Sequence, residues 1–388
     1  MPLARLVVGQ LGALAVVYAV VVLEIARRAL LVAWRRDRTP NGARVAAKPA
    51  ESQVVVDALV LRPVKGEEAW LEANLRAAVP VPGAVECFSV GRVAEAAHLL
   101  AMRAASERRS VAVSVGECEV PNPKVAHLAR AYATQPPRTI TVVVDADVDP
   151  RTVDGPGIVS ALEEPNVDAV WQPVVEGPGD TMGDAMSEAI LLGSFHAFPL
   201  LGLLDRGGLV GKVSAVRRHA LEAVGGFEAL GHVLGEDMEL AAAIRERGRE
   251  TRMLPSVARS SARGRGVGEV FDRFVRWTLV TKSQRPAKLL SYPLFFFPVP
   301  LVAMGAVCTE MPEAVYFAAL AVAARASLAI LGAVRAGAMS RLPRVLLLAP
   351  LADLLLLAAW LRALTLRTVS WRGTRMRFGE RGRLERAP

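Results

Sequence analysis

Apolar residues run almost unbroken from Leu6 to Leu23, then give way to Glu24, Arg27, Arg28, Arg35, Arg36 and Arg38. A run of that length crosses a bilayer as a helix, and a basic flank on its C-terminal side sets that side in the cytoplasm. A cleaved signal peptide is the competing reading, but it needs a basic start and a small-residue cleavage site, and neither stands out. Thr39 to Ser52, with Pro, Gly and Ala, reads as a linker. From Val54 the pattern changes. Short runs rich in β-branched residues at Val54–Leu61, Val85–Val90, Val111–Val115, Thr141–Val144 and Val167–Pro173 alternate with helical stretches at about 68–78, 93–105 and 121–133. That alternation predicts a largely parallel sheet with helices on both faces. Arg62 to Glu67 reads as a loop after the first strand. Val213–Arg217 is a further strand, Gly225-Gly226-Phe227 a turn, and 236–247 a helix stopped by Gly248.

Ser187–Leu204 is apolar but interrupted by Ser194, His196 and Pro199, and reads as a semi-buried or membrane-facing helical pair. Three more apolar runs close the chain, Leu289–Cys308, Ala314–Val334 and Val345–Leu361. Pro293, Pro298 and Pro300 make the first of them kinked or re-entrant. Three full crossings after a cytoplasmic domain would leave the Arg-rich tail outside, against the positive-inside tendency, so the first run is expected not to cross fully. The organisation is then an anchor with basic flank at 1–38, a linker at 39–52, an α/β domain at 53–285, a membrane region at 286–365 and a basic cytoplasmic tail at 366–388.

Composition agrees. The 388 residues are 52% hydrophobic with a net charge of +9, and mean hydropathy is positive. The arginines cluster beside apolar runs and in the tail, which suits a membrane face carrying anionic lipid. No basic face interleaved with aromatics appears, which argues against nucleic acid as a partner. Cys87, Cys118 and Cys308 have no metal-ligand spacing, and their scatter argues for a reducing compartment rather than a disulfide framework.

Three stretches carry chemistry. The strand Thr141–Val144 runs out into Asp145-Ala146-Asp147-Val148-Asp149. Carboxylates at the C-terminal end of a parallel strand lie where open α/β sheets bind ligands. Two hard oxygen donors two residues apart suit Mg²⁺ or Mn²⁺ and, through it, a diphosphate. Alone, the pattern is as readily an acidic loop. Glu236-Asp237 opens a helix, where the macrodipole stabilises negative charge, and Asp237 could serve as a general base. Arg273, Arg276 and Trp277 share a helix face at i, i+3 and i+4 and could grip phosphate and wall off an acceptor; alone, they read equally as a membrane-interface girdle.

In this order, D-x-D, E-D and R-x-x-R-W before C-terminal membrane segments, the chain resembles the ceramide glucosyltransferase group of membrane-bound, inverting GT-A glycosyltransferases, relatives of the family 2 enzymes. The resemblance runs from about Val54 to the end. Arg62-Pro63-Val64-Lys65-Gly66 is similar to that family's K-P-L-K-G, Asn122-Pro123-Lys124 with His127-Leu128 to its N-P-K-I-x-N-L, Gly193 and His196 to its G-x-x-H, and Trp371-Arg372-Gly373 with Arg375, Arg377 and Phe378 to its C-terminal tail. The resemblance implies a GT-A domain between N-terminal and C-terminal membrane helices, on the cytoplasmic face of a multi-pass membrane protein. It implies transfer of a hexose, glucose first, from a UDP-linked nucleotide sugar to a lipid hydroxyl, ceramide first. Asp145 and Asp147 would hold the divalent metal and the donor, with Lys124, Arg62, Arg273, Arg276 and Trp277 at the nucleotide sugar. Asp237 would be the base and Glu236 its neighbour, and His196 and Trp277 would face the acceptor.

One departure stands out. The family carries an acid after the second strand, at the nucleoside. Here Ser89-Val90-Gly91-Arg92 has none, which leaves Ser89 and backbone groups for that task, or a different donor. Two alternatives therefore stand beside the main expectation: a GT-A membrane transferase for another lipid or a polysaccharide, and a degenerate relative acting as a membrane scaffold.

Overall fold

The computed structural model describes residues 2–38, 56–108, 111–194, 198–205, 207–371, 374–378 and 383–386. The proposed linker and His196 lie outside them.

The strands of the α/β domain are β1 (Ala58–Val64), β2 (Val85–Val90), β3 (Val111–Val115), β4 (Ile140–Val144), β5 (Val167–Trp171), β6 (Val174–Glu176), β7 (Val213–Arg217), β8 (Glu250–Met253) and β9 (Ala258–Ser260). Seven form one sheet in the order β3-β2-β1-β4-β7-β5-β8. The sheet is parallel except for β7, which runs antiparallel between β4 and β5. β6 and β9 pair in a small second sheet. Strand β4 shows why the sequence lacks polar alternation here. Val142 and Val144 pack into the core on one face and Val143 into the core on the other, as expected for a strand covered on both sides. This is the α/β, GT-A-like fold with terminal apolar helices that the strand–helix pattern and the resemblance predict.

Two boundaries differ from expectation. The first strand begins at Ala58 and continues through Val64, so Arg62 and Pro63 belong to the strand and not to a loop. The strand expected over Val167–Pro173 ends at Trp171 as β5, and a separate strand, β6, begins at Val174 beyond Gln172-Pro173, because Pro lacks the donor that a ladder needs.

Helices Leu3–Leu31, Pro312–Arg335 and Met339–Thr365 are long and apolar enough to cross a membrane. Pro286–Phe295 and Pro298–Thr309 form a pair bent by 61°, the kink that the prolines predict. Ser187–Leu204 resolves into the end of helix Met182–Gly193 and the short helix Phe198–Leu204. The first is buried from Gly183 to Gly193 and packs on both the bundle helix Leu342–Thr365 and the helix Val267–Gln284. The second sets Leu200 and Leu203 against Tyr18, Val22 and Ile25 of the N-terminal helix. Inside the bundle Arg325 meets Asp353, Nε donating to both carboxylate oxygens at 3.1 Å and Nη2 to Oδ1 at 2.8 Å.

The tail is more than a basic extension. Strands β10 (Thr368–Trp371), β11 (Thr374–Phe378) and β12 (Leu384–Arg386) form an antiparallel sheet. It docks on the α/β domain, Leu384 N donating to His232 O at 2.8 Å.

Candidate active site

The C-terminal ends of β1 and β4, the loop Ala262–Arg265 and the helix Val267–Gln284 enclose a cleft of about 420 Å³. Among the sequence candidates Asp145, Asp147, Lys124, Arg273, Arg276 and Trp277 line it, together with Lys212, which sequence reasoning missed.

The acidic turn is fixed by its backbone. Asp145 N donates to Lys212 O at 2.8 Å and Ser261 N to Asp147 O at 2.7 Å. Asn74 Nδ2 donates to Ala146 O at 3.0 Å while its Oδ1 accepts from Ser261 Oγ at 3.0 Å. These bonds leave the two carboxylates to the cleft. Asp149 turns elsewhere, accepting from Arg151 N and Nε.

Lys124 is positioned by the motif around it. Asn122 caps the helix Pro123–Thr134 by accepting from Lys124 N at 3.1 Å and Val125 N at 3.4 Å, and Pro123 takes the first-turn position that needs no donor. Asn122 Nδ2 also donates to Val233 O at 3.0 Å, tying this helix to the loop before Glu236. Lys124 Nζ then stands 2.9 Å from Asp145 Oδ1 and 2.9 Å from Glu236 Oε1, and it donates to Gly211 O at 3.3 Å. Burial alone would lower this ammonium's pKa, but Asp145 and Glu236 overcome it and hold the group above its ordinary value.

Glu236 and Asp237 stand just outside the cleft's lining and join it through Lys124 and Gly211. Asp237 Oδ2 accepts from Gly211 N and Oδ1 from Met238 N, both at 2.8 Å. Burial, with Glu236 beside it, pushes the Asp237 carboxyl up to about 6 against the opposing pull of Lys124. Such a group is ionised near neutral pH yet basic enough to take a proton. Asp145 is also raised, by burial. Asp147 is lowered, because the ammonium of Lys212 outweighs its burial.

Arg273 is committed to a network that the sequence did not disclose. Its Nη1 donates to Glu176 Oε1 at 2.6 Å and Ser187 Oγ at 3.1 Å, and its guanidinium carbon lies 4.7 Å from the Trp277 ring centre. Glu176 also accepts from Arg265 at 3.0 and 2.9 Å, and Arg265 reaches Asp184 at 2.9 Å. Glu188 pairs with Arg341 at 2.5 Å. These carboxylates come from β6 and the helix Met182–Gly193, so the network couples the R-x-x-R-W helix and the cleft's loop to the helix bundle.

Arg62 is corrected outright. It does not line the cleft. Strand β1 carries it inward to 0% exposure, where Nη1 donates to Glu86 Oε1 at 3.1 Å and Asn74 O at 3.0 Å. Arg108 engages the other oxygen of Glu86. Ser89, the sequence's candidate at the nucleoside, is likewise buried inside β2 and does not line the cleft. Acidic groups nonetheless gather where β2 ends. A Cβ on Gly91 would meet Glu117 Oε1 at 2.6 Å, His127 Nε2 at 2.8 Å and Glu95 Oε1 at 3.1 Å. His127 lines the cleft and lies 3.1 Å from Glu117 Oε1; burial lowers its ring pKa despite that carboxylate. The close approach to Gly91 could not be seen from sequence, because Glu95 and Glu117 lie on separate loops.

The donor set fits a divalent cation of the Mg²⁺ or Mn²⁺ kind. Asp145 and Asp147 present hard carboxylate oxygens to the cleft, held there against the ammonium groups of Lys124 and Lys212. Among the described residues no three His, Cys, Asp or Glu form a metal-ligand set; Asp145 and Asp147 would be the protein's two ligands, with water and phosphate taking the other positions, the usual Mg²⁺ arrangement.

Two kinds of solved structure are similar to this chain. A mannosyltransferase from Pyrobaculum calidifontis, in complex with GDP-Man and Mn²⁺, is 20% identical over 92% of this chain and 99% of its own, at a TM-score of 0.49. Glucosyl-3-phosphoglycerate synthase from Mycobacterium tuberculosis, in complex with Mg²⁺ and UDP, is 19% identical over 61% of this chain and 79% of its own, at a TM-score of 0.38. No curated protein sequence matches. The sequence does match glycosyl transferase family 21 over residues 10–384, nearly its whole length, and the chain therefore belongs to that family of glycosyltransferases.

Proposed function

We propose that the chain is an inverting hexosyltransferase that moves glucose from UDP-glucose to the hydroxyl of a membrane lipid of the ceramide kind. One observation carries the reading: Lys124 stands 2.9 Å from both Asp145 and Glu236. A single ammonium thus ties the strand-end carboxylates to the acidic pair that opens a helix some ninety residues later, and sets the acceptor machinery against the edge of the donor cleft. Asp145 and Asp147 would hold the divalent ion, which when bound neutralises charge on the leaving diphosphate. Lys124 supports the same anion from the helix side. Arg276 and Trp277 line the opposite wall and close over the sugar and acceptor. Asp237 takes the proton of the lipid hydroxyl as its oxygen bonds to the anomeric carbon. The bond from that carbon to the diphosphate oxygen breaks, and its electron pair leaves with the diphosphate. In such a single displacement the hydroxyl enters from the face away from the leaving group, and the anomeric configuration inverts.

The lipid acceptor is supported by the helix Met182–Gly193, which joins the cleft's ion network to the bundle, and His196, just beyond it, is assigned to the acceptor. A catalytic domain on the cytoplasmic face follows from the basic flank of the first span. The test is direct. Full-length protein in lipid nanodiscs with Mn²⁺, UDP-glucose and ceramide yields a glucosylated lipid; no product across UDP- and GDP-sugars and across ceramide, sterol and glycerolipid acceptors would overturn the assignment.

A further inference from the structure

We infer that Lys212 is a built-in counter-cation of the donor diphosphate, its charge partly quenched by Asp147 until the metal takes that carboxylate. The inference rests on the reading above that the cleft takes a nucleotide diphosphate sugar. Lys212 lines the cleft with its side chain 15% exposed. It is fastened to the acidic turn at both ends. Its carbonyl accepts from Asp145 N at 2.8 Å, and its ammonium pairs with Asp147 Oδ2, an oxygen that Ser260 Oγ also approaches at 3.3 Å. Lys124 stands on Asp145 in the same way. Each carboxylate of the D-x-D therefore carries a lysine.

The nearby arginines are differently placed. Arg265 is spent on Glu176 and Asp184 and Arg273 on Glu176 and Ser187, partners that no metal would take from them. Lys212 has as its partner the very group a metal needs. When a divalent ion binds Asp147, the ammonium loses its match, and an unmatched charge at this depth is costly. The diphosphate that arrives with the metal restores it. Metal and donor are thereby coupled through one side chain, and the coupling is reciprocal. Without metal, Lys212 and Lys124 still offer positive charge to a diphosphate. A lysine suits this exchange because its ammonium is a compact point charge on a flexible stem.

The experiment is calorimetry on the full-length protein in detergent with UDP, and with GDP as the second base, in EDTA and in Mn²⁺, together with Mn²⁺ titration alone. The wild type binds one nucleoside diphosphate measurably in EDTA. Lys212→Met, which keeps the apolar stem, weakens that metal-free affinity about tenfold or more, as loss of a charge-assisted hydrogen bond should, and tightens Mn²⁺ binding in the absence of nucleotide. Lys212→Arg keeps the metal-free affinity. Asp147→Asn strengthens metal-free binding by releasing Lys212, and the gain disappears in the double variant with Lys212→Met. Unchanged metal-free affinity and unchanged Mn²⁺ affinity in Lys212→Met would overturn the inference, as would a gain in Asp147→Asn that survives in the double variant. If Lys212→Met fails to fold, an Asp147→Asn protein with no gain overturns it. A wild type that binds neither nucleotide under any condition would instead bring down the functional reading, and this inference with it.

Discussion

Two groups of buried charge on one sheet make opposite uses of the same chemistry. Arg62, Glu86 and Arg108 lie inside β1 and β2 and beside them, with Glu86 clamped between two guanidinium groups and Arg62 also held by the Asn74 carbonyl. Lys124, Asp145, Asp147 and Lys212 gather at the end of β4, where each carboxylate meets a lysine and all four side chains line the cleft. The first group is sealed from any ligand. The second is paired well enough to survive burial and loosely enough to be re-paired. The bundle's Arg325 and Asp353 belong with the first, since both oxygens of Asp353 are filled by Arg325. Burial and charge alone do not mark a functional site; a charge whose partner can be exchanged does.

The largest effect that would sharpen this contrast is at Asp237. Asp237→Asn is expected to lower kcat about 10²–10⁴-fold, the range of a lost general base, with UDP affinity within about twofold of wild type. Loss of UDP binding instead would move Asp237 to the donor side. The wild-type rate carries a pH signature. The Asp237 carboxyl is raised to about 6 and works ionised, so turnover is level above that value. It falls about tenfold per unit as pH drops through it. A profile flat down to pH 5 would remove Asp237 as the base.

Next come the sealed groups. Asp353→Ala leaves Arg325 buried without its partner and is expected to cost about 3–5 kcal/mol of stability, read as a lowered thermal transition in detergent. Arg62→Met leaves Glu86 with Arg108 alone and should cost about 1–3 kcal/mol. Neither change should alter UDP affinity in protein that remains folded. A weaker affinity in Arg62→Met would break the division between sealed and exchangeable charge, and would return Arg62 to the donor.

Much of the fold was legible because β-branched runs alternate with helical stretches, and the site because its motifs fall at strand ends and helix starts. Asp145 and Asp147 follow a strand buried on both faces, and Asn122-Pro123-Lys124 is a helix start with its lysine one residue inside. What sequence could not supply was side-chain direction and partnership over long separations. The first strand runs three residues past Leu61, to Val64, so Arg62 lies within it and the pleat turns it inward. Lys212 follows a glycine in a stretch with no pattern of its own, and only the antiparallel insertion of β7 beside β4 brings it to Asp147. Glu176 and Arg265 are eighty-nine residues apart. The tail sheet was hidden by its arginines, whose charge suggested a lipid-facing extension although alternate residues such as Val369, Met376 and Leu384 are buried.

The smallest expected effect tests the cleft's far end. The strand end that lacks an acid has two close by, Glu117 and Glu95, which meet His127 at Gly91, just behind the cleft wall to which His127 belongs. A carboxylate here can accept a hydrogen bond from a ring N–H, which uracil and guanine both carry. Glu117→Gln keeps the shape and removes the charge, so it should weaken UDP binding about three- to tenfold, the worth of one hydrogen bond, while leaving affinity for inorganic diphosphate unchanged. The comparison of the two ligands is what gives the test its reach. A uniform loss for both would mean that Glu117 acts only by holding His127 against the diphosphate end. No loss for either would put the nucleoside elsewhere, and the charges around Gly91 would then join Arg62 and Glu86 among the sealed groups.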